Sequence, residues 1–260
     1  MNYFIPFFNE NKISSVHDID RSLLKKLQDY IRIHGRKIKG IQTKNTARTV
    51  NHAMSSLRQI FSFLVDEEKI PFSPFNDLRQ LVEKDEEINP CNAFPFDKVK
   101  GIFKIVWEEN HLYYILNLII ATTGMRNSEI SRIQVSSLLN EGNNYYIDIT
   151  KSKTISGIRK VPILPFVYEK IIQYAKIVNK KECDYIFDVE GKPLYEKYFP
   201  RALNLAGTKM GYTKQNLKDE GIRYYGWRHF VDSLLIENNI NPIKIKRFLG
   251  HQVNKSDMTE

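Results

Sequence analysis

The stretch ATTGMRNSEI, residues 121–130, joins a long apolar segment to a polar one. The apolar run before it predicts a buried helix that ends at Gly124, because glycine is favoured just past a helix C-terminus. The next helix is predicted to begin near residues 127–128, with Glu129 in its first turn. Arg126 lies in this junction, where the end of a buried helix would hold it firmly. Taken alone, such a pattern more often marks a structural arginine paired with a nearby carboxylate.

Two further segments carry cations at defined places on predicted elements. In KSKTISGIRK, Lys153 lies in a predicted turn between two strands, where it either reaches into a groove or is an ordinary solvated lysine. In YYGWRHF, Arg228 lies near the start of a predicted helix, and its aromatic neighbours either clamp the guanidinium or belong to the core. The sequence pattern leaves both alternatives open at each position.

A histidine follows the predicted end of a later helix. In LGH, residues 249–251, Gly250 ends the helix and presents His251 in the loop after it. A glycine of this kind is common before histidine, so the segment carries little information by itself.

The composition predicts a folded protein without a membrane span. Of the 260 residues, 42% are hydrophobic and 27% are charged, which suffices for a core in one large domain or two ordinary ones. No apolar run approaches the roughly 20 residues that a membrane-spanning helix needs. The first residues, MNYFIPFFNENK, lack the features of a secretory signal. Because Cys91 and Cys183 have no spacing typical of a zinc site or a disulfide framework, we expect a cytoplasmic protein.

Nucleotide and metal motifs are absent from the sequence. It contains no G-x-x-x-x-G-K-[ST], no G-x-G-x-x-G and no H-E-x-x-H, and neither its histidines nor its carboxylates are clustered. We therefore expect no cofactor and no metal. A chain of this kind that acts on phosphodiesters would use cations and hydrogen-bond donors.

The charge is positive and unevenly distributed. The chain has 39 Lys and Arg against 30 Asp and Glu, a net charge of +9, which favours nucleic acid or another anionic surface as a partner. Between Arg21 and Ile60 there is a single acid, Asp29, among ten basic residues. A solvated helix face usually mixes both signs, so this stretch predicts a surface that faces phosphates. The candidate DNA-binding residues are Arg36, Lys37, Lys39, Lys44 and Arg48.

The first 85 residues are predicted to form a small helical unit. Asp18 is predicted to cap a helix through SLLKKLQDYIRIH, and a longer helix is predicted to begin at Asn45 or Thr46. The segment GRKIKGIQTK between them predicts a loop, and NDLRQLVEK predicts a short helix at the end of the unit.

A linker at residues 86–93 and a second domain at residues 94–260 are predicted to follow. The linker lies in the segment EKDEEINPCNAFP, which is acidic, contains two prolines and lacks apolar periodicity. Beyond it, NNYYIDITK and RKVPILP alternate like the two strands of a hairpin, DYIFDV allows a short strand, and most other segments predict helices. The sequence therefore predicts a mainly α fold with a small antiparallel sheet, in the α+β class.

Together, the four segments resemble the tyrosine recombinase (phage integrase) family, because they occur in its order and on its elements. ATTGMRNSEI resembles the first arginine box, with Arg126 as its arginine and Glu129 as an acidic companion that orients a neighbouring side chain. KSKT resembles the turn that carries the catalytic lysine, Lys153. YGWRH resembles the second arginine box, with Arg228, and LGH resembles the box that supplies the last histidine, His251.

Two features depart from the family pattern. Tyr225 occupies the position at which the second arginine box usually has histidine; its hydroxyl can donate a hydrogen bond to phosphate but is neutral at pH 7. The family's nucleophilic tyrosine lies about ten residues past LGH, often after Met-Thr. MTE ends this sequence, so we expect the tyrosine one or two positions beyond Glu260, in a chain cut just before it. Tyr224 and Tyr225 precede Arg228 instead of following LGH, and are not plausible substitutes.

The resemblance implies cleavage and rejoining of DNA strands through a 3′-phosphotyrosine intermediate. Arg126 and Arg228 would bind the nonbridging phosphate oxygens, with His251 and Tyr225 as further donors. Lys153 would be the general acid that protonates the departing 5′ oxygen. The reaction would need neither metal nor cofactor, because the protein–DNA bond conserves the energy of the phosphodiester.

The resemblance also implies domain roles and partners. Residues 1–85 would be the core-binding domain and residues 94–260 the catalytic domain, which together clamp double-stranded DNA. A homotetramer on DNA, accessory DNA-bending proteins and a nucleoid-associated place in the cytoplasm would follow, with no membrane contact.

Two alternatives remain at this point. A catalytically silent DNA-binding protein on the same fold would carry the same basic surface and lack only the tyrosine. An unrelated helical DNA-binding regulator would carry the four segments by coincidence.

Overall fold

The computed structural model describes residues 3–35, 37–38, 40–84, 93–152, 154–220 and 222–253, without the side chains of Lys37, Ile38, Ile41, Lys214 and Lys218. Contacts between residues divide the chain into two compact units, Met1–Asn89 and Pro90–Glu260. Most of the predicted linker, 86–93, lies outside the described residues, so the linker and the domain roles remain predictions.

The first unit is helical, and its helices begin at residues whose side chains cap them. Helix α1 spans Phe4–Glu10, α2 spans Arg21–Ile33 and α3 spans Ala47–Asp66. The cap of α2 is Asp20, whose carboxylate accepts from the Leu23 amide, so the prediction of Asp18 was wrong. Asp18 instead belongs to a short 3₁₀ turn, Val16–Asp18, that Ser15 caps. Thr46 caps α3, which confirms one of the two predicted starts.

Helices α2 and α3 each bury one face. Their apolar residues recur at the three- and four-residue spacing that places side chains on one side of a helix. The buried positions are Leu24, Leu27 and Ile31 in α2, and Val50, Met54, Leu57 and Phe61 in α3.

Two local predictions for the first unit were wrong. The predicted loop between α2 and α3 contains two short antiparallel strands, β1 (Lys37–Ile38) and β2 (Ile41–Gln42). The predicted helix NDLRQLVEK is absent, because side chains of α2 and α3 bind the backbone of that segment in a non-helical form. Asn51 binds both the amide and the carbonyl of Leu81, and Gln28 donates to the Arg79 carbonyl.

The second unit is mainly helical with a small sheet. Its helices are α4 (Phe96–Glu109), α5 (His111–Thr123), α6 (Asn127–Ile130), α7 (Pro165–Ile177), α8 (Tyr198–Lys209), α9 (Lys214–Asp219), α10 (Gly226–Glu237) and α11 (Pro242–Leu249). Strands β3 (Leu138–Glu141), β4 (Asn144–Ile149) and β5 (Arg159–Ile163) form an antiparallel sheet in the order β3-β4-β5. Strands β6 (Asp188–Val189) and β7 (Lys192–Pro193) form a separate pair. The predicted fold class is confirmed, and β3 and β7 are additions to it.

Helix α5 is the centre of the second unit and determines where α10 lies. Seven consecutive residues of α5, Ile115–Ala121, are buried, among them the polar Asn117. The side-chain oxygen Oδ1 of Asn117 accepts from the Trp227 indole at 2.8 Å, and the Tyr224 hydroxyl donates to the backbone carbonyl of Leu116 at 3.0 Å. These bonds hold the start of α10 against α5, and Arg228 follows directly in the chain.

None of the helices in the described part of the chain has the length and apolar character to cross a membrane.

Candidate active site

Arg126 lies between α5 and α6, in the junction that the sequence predicts. Gly124 ends α5 with φ +60°, and a β-carbon there would lie 2.6 Å from Leu249 Cδ2, so α5 and the end of α11 touch at this glycine. The Arg126 guanidinium donates from Nη1 to Glu129 Oε1 at 2.8 Å and from Nη2 to the Gly250 carbonyl at 2.9 Å. Arg126 therefore joins the first turn of α6 to the loop after α11.

Glu129 is buried and accepts bonds from several groups. Its carboxylate accepts from the Arg126 amide at 3.0 Å and from the Ser152 hydroxyl at 3.0 Å, and it pairs with the guanidinium of Arg159 at 3.3 Å. Burial acts to raise the pKa of Glu129, but the Arg126 hydrogen bonds and the Arg159 charge outweigh it and lower that pKa. The carboxylate is therefore ionised near neutral pH.

Arg228 is 3% exposed, in the first turn of α10. Its Nη1 donates to the Gly124 carbonyl at 2.6 Å, and its Nη2 donates to the Leu249 carbonyl. Burial lowers the pKa of Arg228, although arginine stays protonated in proteins. Because Arg126 binds residue 250 and Arg228 binds residues 124 and 249, the two guanidiniums bridge the same two segments of backbone.

His251 contacts Arg228 through Nε2, at 2.8 Å from Arg228 Nη2. Arginine only donates, so Nε2 accepts and the imidazole is neutral, with its proton on Nδ1. Burial and the neighbouring charges of Arg228 and Arg126 lower the pKa of His251, which favours the same neutral form. Arg126, Arg228 and His251, here called the arginine–histidine cluster, are therefore together in the structure.

The two tyrosines before Arg228 have different surroundings. Tyr225 is 48% exposed, and its ring meets that of His229 edge-on at 5.3 Å. Tyr224 is buried, and burial raises its pKa well above the ordinary value. A buried hydroxyl that is hard to ionise and already donates to Leu116 cannot easily act as a nucleophile, in keeping with the sequence argument.

The remaining predicted site residues lie partly outside the described chain. Lys153 falls outside the described residues, although its neighbours Ser152 and Thr154 lie within them. Among the candidate DNA-binding residues, Arg36 and Lys39 also fall outside, and the side chain of Lys37 is not described. Lys44 and Arg48 are exposed, just before α3 and in its first turn.

Arg159 is a member of the site that sequence reasoning missed. It begins β5 opposite Ile149, the last residue of β4, and its side chain is only 10% exposed. The sequence pattern predicts it only as one residue of a strand. A buried arginine at the end of a predicted turn would have been the signal, but burial is visible only after folding.

Within the residues that the structure describes, no three His, Cys, Asp or Glu side chains lie close enough to hold a metal ion.

Residues 93–259 match the sequence profile of the phage integrase family. The chain belongs to the phage integrase family. Among curated proteins, it is 24% identical over 255 residues to a tyrosine recombinase, XerC, from Listeria welshimeri, covering 95% of this chain and 79% of the relative. It is 22% identical over 231 residues to the ICEBs1 integrase of Bacillus subtilis, covering 81% of this chain and 60% of that protein.

Solved structures of family members share the fold. The integrase of transposon Tn1549, in complex with transposon right end DNA, has a TM-score of 0.73 at 18% identity. The match covers 94% of this chain and 81% of the integrase chain in that structure. XerH bound to difH, in a pre-cleavage complex, has a TM-score of 0.69 at 16% identity, over 98% of this chain and 73% of its own. A lambda integrase dimer bound to a COC′ core site has a TM-score of 0.65 at 15% identity, and the match covers 94% of this chain and 64% of that chain. The fold is thus that of the tyrosine-type site-specific DNA recombinases.

Proposed function

We propose that this protein is a site-specific DNA recombinase or integrase, which cleaves and rejoins DNA strands through a 3′-phosphotyrosine intermediate. Membership of the phage integrase family supports the class of reaction. The observation that supports it most is the arginine–histidine cluster, because two guanidiniums and an imidazole meet around residues 124–126 and 249–251.

Some N–H donors of the cluster are not used by the protein and can bind an anion. An arginine side chain carries five N–H groups. In the described residues, the Arg126 guanidinium makes two hydrogen bonds and that of Arg228 makes three. The unused donors, together with Nδ1–H of His251, suit the extra negative charge of a pentacoordinate phosphorus. We assign the nonbridging oxygens to Arg126 and Arg228, with His251 and the exposed Tyr225 as further donors.

Glu129 acts on this site by fixing Arg126. Its ionised carboxylate binds both the amide and the guanidinium of Arg126, which holds that side chain in one rotamer. A fixed donor loses no freedom when the phosphate arrives, which is how preorganised sites lower the barrier. Glu129 itself needs no contact with DNA.

The proposed reaction conserves the bond energy of the phosphodiester. A tyrosine phenolate attacks phosphorus, the bond to the 5′ oxygen breaks, and Lys153 gives that oxygen a proton. A 5′ hydroxyl later attacks the phosphotyrosine, and the lysine takes the proton back. No tyrosine follows His251 within the 260 residues, so the nucleophile is to be identified by experiment.

The partners proposed for this chain are double-stranded DNA and three further copies of itself. The solved relatives include a lambda integrase dimer on a core site and a lambda integrase tetramer bound to a Holliday junction. In this proposal, residues 1–85 form the core-binding domain, in which Lys44 and Arg48 contact phosphates together with Arg36, Lys37 and Lys39. Residues 94–260 form the catalytic domain, accessory DNA-bending proteins assist, and the protein acts at the nucleoid in the cytoplasm.

A catalytically silent DNA-binding protein is the second candidate. The same cluster and the same basic residues would bind a DNA phosphate without cleaving it. The two candidates differ in whether a tyrosine attacks the bound phosphate.

The test is to trap a covalent protein–DNA adduct. The protein is purified from its source, its intact mass is measured, and it is incubated with its binding-site duplex carrying a nick next to the cleavage position. A recombinase accumulates a 3′-linked adduct that survives denaturation, and peptide mapping of the adduct identifies the attacking residue. Specific binding without an adduct would support the silent protein instead.

Family membership excludes the unrelated regulator that the sequence alone left open. In the proposed recombinase, Arg126→Ala and Arg228→Ala both weaken binding at the cleavage phosphate.

A further inference from the structure

Arg159 makes contacts with three separate segments around the cluster. Its Nε donates to the Phe248 carbonyl at 2.7 Å, and its Nη1 donates to the Gly157 carbonyl at 2.8 Å. Its Nη1 and Nη2 also donate to the two carboxylate oxygens of Glu129, at 3.4 and 3.3 Å. All three nitrogens of the guanidinium are therefore engaged by the protein, and the side chain is nearly buried.

Two of these contacts, those with Glu129 and Phe248, lead to residues of the cluster. Glu129 binds Arg126, so Arg159 holds the carboxylate that orients the first arginine. Phe248 is three residues before His251, so the Nε bond fixes the end of α11 from which the histidine follows. One planar guanidinium thus sets the separation between the α6 side and the α11 side of the cluster.

The Arg159 guanidinium is packed closely against the loop that carries His251. A β-carbon on Gly250 would be 2.5 Å from Arg159 Nη1, so the guanidinium packs directly on this glycine. A β-carbon on Gly157 would be 2.0 Å from the Ser152 hydroxyl oxygen, so both ends of the turn between β4 and β5 are in contact. Ser152 binds the same carboxylate as Arg159, which attaches both ends of that turn to Glu129.

We propose that Arg159 is a positioning residue of the active site, which holds Arg126 through Glu129 and His251 through Phe248 at the separation that a DNA phosphate requires. This inference rests on the proposed function, because it assumes that the cluster binds phosphate. Arg159 acts through its neighbours and needs no contact with DNA.

Positioning is distinguishable from a simple contribution of positive charge. A lysine at this position keeps the charge but is a point donor on a flexible stem, and cannot bind Phe248, Gly157 and Glu129 at once. If Arg159 only supplied charge, Arg159→Lys would behave like the wild type. If it positions the cluster, Arg159→Lys fails nearly as badly as Arg159→Ala or Arg159→Gln.

The experiment uses inorganic sulfate, a tetrahedral anion, as the probe of the cluster in the 260-residue chain. Sulfate is titrated at constant ionic strength while the His251 imidazole resonances are followed by NMR, with His251→Asn to assign them. We expect the dissociation constant of sulfate to rise about tenfold or more in both Arg159→Lys and Arg159→Ala, since each loses hydrogen bonds between charged groups.

Lys160→Ala is the matched control. Lys160 is the next residue in β5, but it pairs on the surface with Glu141, so its loss removes a nearby charge without touching the cluster. We expect its sulfate affinity to stay within about twofold of the wild type. Thermal unfolding shows which variants are folded, and Arg159→Lys decides the question if the alanine and glutamine variants do not fold.

Three outcomes are decisive. Weak sulfate binding by Arg159→Lys with normal binding by Lys160→Ala supports the inference. Wild-type affinity in folded Arg159→Lys overturns it and leaves the proposed phosphate site intact. No response of wild-type His251 to sulfate overturns both the phosphate site and the inference that rests on it.

Discussion

At the scale of single residues, Glu129 is the acid on which the site depends most. It is buried, and it is held in the charged form by two arginines and a serine. Because its pKa in the folded protein is below the ordinary value of 4.5, its ionisation stabilises the fold above that pH. This contribution is lost as the pH falls through the lowered pKa.

Glu129→Gln is expected to lower the free energy of unfolding by about 3 kcal/mol at pH 7, because it leaves Arg126 and Arg159 without their anion. The difference from the wild type narrows at pH values below 4.5, where the wild-type carboxylate itself becomes protonated. Urea unfolding at several pH values measures both effects. Glu141→Gln, which breaks an exposed pair with Lys160, serves as control and should cost less than about 1 kcal/mol. A loss at pH 7 no larger than that of the control would contradict the role given to Glu129.

His251 predicts a pH dependence of anion binding. In the free protein its pKa is lowered, by burial and by the charges of Arg228 and Arg126, so the ring is neutral near pH 7. A bound anion offsets those charges and raises that pKa, so binding takes up a proton and sulfate affinity rises as the pH falls from 8 to 6. NMR titrations at several pH values test this. Equal pH dependence in His251→Asn would show that another group is responsible.

The site residues differ in how far the sequence reveals them. Arg126, Arg228 and His251 occur in short, ordered segments, and the structure brings these three together with Glu129. Arg159 carries no such local signal, because its role comes from contacts with residues 30 and 89 positions away. Contacts at that separation depend on the packing of α6, β5 and α11, which local patterns do not encode.

At the scale of elements, the glycines that end α5 and α11 allow the two helices to meet at the cluster. Gly124 and Gly250 both have positive φ and both face close neighbours. Gly142, in the turn between β3 and β4, has the same φ of +69° as Gly250 but nothing within 4 Å of a β-carbon. A comparison of Gly142 with Gly250 therefore separates the free-energy cost of the left-handed backbone conformation from the cost of the close approach.

Gly142→Ala is expected to cost about 1 kcal/mol, the penalty of a left-handed conformation for a residue with a β-carbon. Gly250→Ala is expected to cost about 3 kcal/mol, because the added carbon also meets the guanidinium of Arg159. Only Gly250→Ala should weaken sulfate binding. Thermal or urea unfolding and the NMR titration measure these effects, and equal losses in the two variants would refute the close approach.

The errors in element prediction have local physical reasons. The segment NDLRQLVEK has helical composition, but Asn51 and Gln28 bind its backbone and replace the bonds of a helix. Asp18 and Asp20 are both good caps, and only the geometry of the preceding turn decides between them. The β4–β5 hairpin was predicted because both strands alternate in apolar character, whereas β3, LLNE, is too short to show a pattern.

At the scale of the whole molecule, net positive charge should make DNA binding strongly salt-dependent. Each phosphate contact that a lysine or arginine makes releases counterions, so log affinity falls linearly with log salt concentration. Lys44→Ala and Arg48→Ala are each expected to reduce the magnitude of that slope by about 1, without changing which duplex is preferred. Fluorescence anisotropy at several salt concentrations measures the slope. Lys180→Ala is a control, since Lys180 pairs with Asp188. An equal reduction of the salt slope in Lys180→Ala would show that Lys44 and Arg48 have no special role in DNA binding.

The central claim is that the arginine–histidine cluster binds one phosphate of the DNA backbone, and a methylphosphonate scan tests it most directly. A duplex selected by this chain from random sequences is made with one neutral methylphosphonate at a time, and the affinity is measured for the wild type, Arg126→Ala and Arg228→Ala. We predict one position per half-site at which a neutral methylphosphonate weakens wild-type binding by about tenfold or more. At that position, Arg126→Ala and Arg228→Ala should bind the neutral duplex as tightly as they bind the unmodified one. A scan in which every position has the same effect, or in which the strongest position is equally sensitive in the two variants, would contradict the account.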